Sequence, residues 1–137
     1  MSIVQFGEAQ LLAGRVEEAW DSGTRAVVLA RERGERGHEA WAHLLLGETE
    51  SHRDSPDVAA AEAHYAASTA LALELGMRPL LAHCRFSLGE LHQRAGDGPA
   101  AEHLTMAMTL FNEMGMRFWF EQAEAEMQAR PRNAAVY

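Results

Sequence analysis

Lysine is absent from this chain, and cysteine occurs once, at Cys84. All 12 basic residues are arginines, set against 20 acidic ones, for a formal charge of -8. A domain of that sign is repelled by phosphate backbones, so no nucleic-acid partner is expected. A lone cysteine excludes an internal disulfide and suits a reducing, cytoplasmic setting. No apolar stretch approaches the roughly 18 residues that cross a bilayer, so no membrane partner is expected. The opening MSIVQFGEAQ has no basic stretch of the kind that begins a signal peptide. Valine and isoleucine are few, while Ala, Leu, Glu and Arg dominate. Unbranched side chains lose little rotamer freedom in a helix, so this mixture points to an all-α chain. With 137 residues, 47% apolar and 23% charged, the chain has material for one domain with a real core.

What is present is a repeat. ELGMRP (Glu74 to Pro79) returns as EMGMRF (Glu113 to Phe118), at an offset of 39. The same offset places Ala61 on Ala100, His64 on His103, Tyr65 on Leu104 and Leu71 on Leu110. A shift of 42 places Ala19 on Ala61, Leu29 on Leu71, Gly34 on Gly76 and Arg36 on Arg78. Each segment follows another that holds a Gly-Glu pair: Gly7-Glu8, Gly47-Glu48 and Gly89-Glu90. Three helix-turn-helix copies with a period of about 40 residues are the mark of a helical solenoid.

The pattern predicts helices over 2–13, 15–33, 38–52, 56–75, 79–95, 99–114 and 117–129. Gly76 and Gly115 stand where long helices must stop, and glycine reaches the left-handed conformation of a helix end without a Cβ penalty. Met77 and Met116 follow, placed to fold back on the last turn toward Leu71 and Leu110. Gly34 has the same role without an apolar clasp, and Gly14 marks the turn of the first copy. GDGP offers Asp97 as a cap with Pro99 in the first turn, and DSPD offers Ser55 before Pro56.

These residues resemble the tetratricopeptide repeat family. In that motif a large apolar residue precedes a small one on the first helix, as in Phe6-Gly7, Leu46-Gly47 and Leu88-Gly89. Small residues on the second helix allow close approach, as Ala19, Ala61 and Ala100 would, and then Ala26, Ser68 and Ala107. The period exceeds the usual 34 residues, the turn SHRDSPDV has no glycine, and Gly23 stands where the family prefers a bulky residue. The resemblance implies a right-handed superhelical array of three helical hairpins with a capping helix. It gives one domain over 1–130, with repeats at about 2–36, 37–78 and 79–117, a cap at 117–129 and a tail at 131–137. A narrower likeness is to the C-terminal arrays of large bacterial ATPase and nucleotide-cyclase signalling regulators.

In that family the first helices line a concave face. The resemblance thereby places Glu8, then Trp41, Leu44, Glu48 and His52, then His83, Phe86, Glu90, Gln93 and Arg94 in a partner-binding groove. Aromatic anchors would supply burial and recurring carboxylates would steer a basic peptide or protein segment. The plainer alternative is that glutamate suits an exposed helix position. A small-molecule sensor or regulatory domain is the rival function. No metal or other cofactor is expected, because no two histidines stand four apart and neither His-Glu-x-x-His nor Cys-x-x-Cys occurs. No nucleophile elbow or phosphate loop occurs either, so no enzyme activity is expected. The methionines of the third copy read as core filling, with an adaptable binding surface as the alternative. In the closing helix Phe118, Ala123 and Met127, with Trp119 or Phe120, are expected on the buried side. The first helix carries Ile3, Val4 and Phe6 with no covering helix before it. That implies either further repeats upstream or a homodimer contact at this end.

Overall fold

The computed structural model describes residues 2–96 and 98–129. Among these it contains seven α-helices and no strand. They are α1 (Ile3–Leu12), α2 (Val16–Arg33), α3 (Arg36–Ser51), α4 (Val58–Leu75), α5 (Arg78–Ala95), α6 (Ala100–Glu113) and α7 (Arg117–Gln128). The fold is all-α, and every helix end lies within two residues of its expected place. The chain divides into two compact units, the first ending at Cys84 and the second beginning at Arg85, within α5. The expected cap Asp97 and the tail at 131–137 lie outside the described residues.

The repeated Gly-Met-Arg is a helix stop. Gly14, Gly34, Gly76 and Gly115 have φ of 80°, 68°, 70° and 69°. The residue after each donates its N–H back five residues: Arg15 to Gln10, Glu35 to Ala30, and Met77 to Ala72, all at 2.8 Å, and Met116 to Phe111 at 2.9 Å. These bonds satisfy carbonyls that a helix end otherwise leaves open. The Met77 side chain extends to Gly37, where an added Cβ would stand 3.9 Å from its Cε. Two starts differ from expectation. Asp57, after Pro56, caps α4 by accepting from the Ala60 N–H, so Ser55 is not the cap. Pro99 is itself the residue before α6, since its ring fixes φ while its missing N–H costs nothing there.

In the first unit successive helices run antiparallel, as paired contacts show. Gln10 meets both Ser22 and Glu18; Arg31 meets Glu39; His43 meets His64. Glycine sets how closely they approach. A Cβ on Gly47 would stand 2.6 Å from the Tyr65 ring, which is 1% exposed and cannot retreat. The first copy has Gly23 where the second has Tyr65, so from α2 only the small Ser22 reaches the equivalent notch, its Cβ 3.2 Å from a Cβ on Gly7. The next helix supplies the large side chains. Leu45 lies 2.5 Å from a Cβ on Gly7, and Leu46 lies 2.7 Å from one on Gly23. α3 therefore packs on both α1 and α2, and Leu46 joins Ala26, Val27 and Ala42 in a core cluster flanked by Ile3, Val4 and Trp20.

The second unit repeats the second copy's solution. Leu104, the counterpart of Tyr65, lies 2.7 Å from a Cβ on Gly89. Beside it Phe86, Phe111 and Trp119 make three mutual ring contacts at 6.2 to 6.4 Å, joining α5, α6 and α7. Trp119 and Ala123 face this core, whereas Phe118 is 63% exposed. The expectation that Phe118 is buried is thus corrected: residues 119 and 123 share a face one turn apart, which turns 118 outward.

Gly47→Ala is expected to destabilise the protein by about 1–3 kcal/mol, because its methyl would meet a ring that cannot move. Gly37→Ala, whose methyl would make ordinary contact with the Met77 side chain, is expected to stabilise by about 0.5–1 kcal/mol through helix propensity. Urea unfolding of the two variants measures both.

Candidate functional site

A glycine aimed at the neighbouring helix turns the residue after it by 100°, off the packed line. The Gly-Glu pairs therefore present a glutamate beside each notch. Glu8 is exposed, and Glu48 and Glu90 are half-buried.

In the first unit, a concave cavity of about 750 Å³ opens between the start of α1, the second half of α2 and the start of α3. Ile3, Val4, Leu29 and Trp41 give it apolar walls, and Glu8, Arg33 and His38 give it polar ones. Ser2 and Gln5 also border it, but their side chains are bound to each other's backbone N–H as a capping box. His38 Nδ1 lies 3.2 Å from Glu35 Oε2. Glu8 and Arg33 have no hydrogen bond or ion pair among the described residues. Loss of water pushes the Glu8 carboxyl above its ordinary value, with no cation to offset it. Trp41 also contacts His83, with ring centroids 6.1 Å apart, and burial lowers the His83 pKa.

The structure thus brings Glu8, Trp41 and His83 of the expected groove to neighbouring positions. Leu44 is buried at 6% and serves packing. His52 is exposed, and its Nδ1 donates to the Glu48 carbonyl at 2.7 Å, closing its own helix. Leu29 and Arg33 lie on α2, a second helix, outside the expected groove of first helices, and His38, at the start of α3, lies a turn before its expected residues. Their signal was the Gly34 turn, which they flank.

In the second unit Phe86 is buried at 8%, inside the aromatic cluster. Arg94 is exposed. Gln93 donates from Nε2 to the Glu126 carbonyl at 3.0 Å and to its Oε1 at 2.9 Å. Its own Oε1 is buried with no hydrogen-bond partner among the described residues. Glu90 is pushed up to about 7, first by burial and then by the Glu126 carboxylate, with Arg94 opposing.

Histidines occur as stacked pairs, one in each unit. His43 and His64 lie 5.5 Å apart between ring centres, and so do His92 and His103. Burial lowers the pKa of both His43 and His64, and for His43 the neighbouring His64 adds to the effect. His43 Nδ1 and His64 Nδ1 lie 3.3 Å apart, a hydrogen bond between the two rings, and no group of three or more metal-ligating side chains occurs among the described residues. Cys84 is fully buried, with its thiol 3.3 Å from the Ser68 hydroxyl. No helix among the described residues is long and apolar enough to cross a membrane.

No family model, curated protein or solved structure matches the chain.

Glu90→Gln tests the buried carboxyl. A folded pKa raised from 4.5 to about 7 leaves its contribution intact below 4.5 and removes it as pH rises through 7. The variant should match the parent near pH 4 and exceed it near pH 8.5 by about 1–3 kcal/mol in urea unfolding.

Proposed function

We propose that the chain is a non-catalytic interaction module that takes a basic peptide or protein segment against the acidic side of its first helices. The finer architecture belongs to the same reading: a tetratricopeptide-like array of three hairpins closed by α7. The recurring geometry of the Gly-Glu pairs carries it. In all three copies a glycine notch packs the helix down and leaves a carboxylate beside it, at Glu8, Glu48 and Glu90. The charge of -8 adds long-range attraction for a cationic partner. Supporting a binding role, a half-buried aromatic, Trp41, shares the cavity lining with Glu8.

A second reading, as a small-molecule sensor or regulatory domain, is favoured by the cavity itself. Its volume falls within the roughly 300–1,000 Å³ of small-ligand sites, and Trp41 forms a wall.

Arginine-rich and glutamate-rich peptides of equal length separate the readings by fluorescence anisotropy. Selective binding of the arginine-rich peptide, weakening with salt and by about tenfold or more in a Glu8→Lys, Glu48→Lys variant, is expected. Equal binding by the parent and this variant would remove the acidic face from the account.

A further inference from the structure

The cavity of the first unit has an unspent charge in it. Its polar side chains divide into those already engaged and those not. Ser2 and Gln5 are committed to the α1 cap, and Glu35 and His38 to each other. That leaves Glu8 and Arg33. Both are exposed at the rim of the cavity; partial loss of water raises the pKa of Glu8, and Arg33 stands in the last turn of α2. A carboxylate that has given up water without gaining a cation is stabilised by a cation from outside. The walls above it are apolar and include the indole of Trp41, which suits an aliphatic stem or a cationic head over its face.

We propose that this cavity is the anchor site for a lysine or arginine of the bound segment. The stem lies against Leu29 and Trp41, and the charged head reaches Glu8. Lysine and arginine are the residues that combine a long apolar stem with a permanent charge. Arg33 and the first turn of α1 favour the opposite sign of ligand, so the ligand's charge is what must be measured. The proposal rests on the interaction-module reading and adds to it a position and a residue type.

The test is an NMR titration of the full chain with acetyl-Leu-Lys-Leu-amide, and with matched peptides holding Gln or Glu in place of Lys. The Lys peptide is expected to shift amides of Ile3 to Glu8, Ala26 to Arg33 and Glu35 to Trp41, with a Kd of about 1 mM. Glu8→Gln, exposed and so expected to fold, should weaken it by about tenfold; Trp41→Leu gives a second loss. Equal or tighter binding of the Glu or Gln peptide overturns the proposal. Shifts confined to other residues overturn it too. Butylammonium binding as tightly as the Lys peptide overturns the segment as the source and points to a free amine. If the arginine-rich peptide binds the protein without shifting these amides, the anchor fails and the interaction reading stands. If neither peptide binds, both fail.

Discussion

Four helical glycines, Gly7, Gly23, Gly47 and Gly89, each mark a place where a neighbouring helix's side chain occupies the space of a missing Cβ. Tyr65 fills the notch at Gly47 and Leu104 the one at Gly89. These contacts are short because backbone, not side chain, forms one wall. Tyr65 and Leu104 are nearly or fully buried, so the notches cannot be relieved by moving the filler outward. Much else follows from this constraint. It fixes the rotation of α1, α3 and α5 about their axes, and with it the placement of the glutamate after each glycine. It also excludes Leu44 and Phe86 from any partner surface, since they lie on the packed side.

The first copy differs, and it is the copy that borders the cavity. Gly23 leaves α2 without a large filler beside Ser22, and Leu45 and Leu46 of α3 take the role for both α1 and α2. One helix thus covers two notches that the other copies fill from within. The start of α1, the second half of α2 and the start of α3 are left bordering a concave space. Glu8 beside the Gly7 notch and Trp41 one turn before Leu45 are brought to it by that packing. The departure at Gly23 is therefore the feature that distinguishes the first copy chemically as well as structurally.

Much of this was legible in the letters. Helix positions followed from composition and period, and the four glycine stops from the conformation that only glycine enters freely. The correspondence of Tyr65 with Leu104 was visible through the offset of 39, and that of Gly47 with Gly89 through the recurring Gly-Glu pairs; which glycine each large residue meets was not. Other features depend on a partner far along the chain. The state of Glu90 is set by burial and by Glu126, which no local pattern connects to it. The outward turn of Phe118 depends on whether Trp119 or its neighbour reaches Phe111, a matter of one helical step. The cavity walls Leu29 and Arg33 lie on a second helix, which a groove built from first helices alone does not include.

The claim that α3 replaces the missing filler is tested most directly by a double-mutant cycle on Gly7→Ala and Leu45→Ala, followed by urea unfolding. Each change alone is expected to destabilise, the first by overpacking by about 1–3 kcal/mol and the second by leaving a cavity at a cost of about 2–5 kcal/mol. Together they should cost less than their sum by about 1 kcal/mol or more, because the alanine methyl enters the space that Leu45 vacates. Strict additivity would contradict the account, for it would mean that Leu45 does not occupy the Gly7 notch.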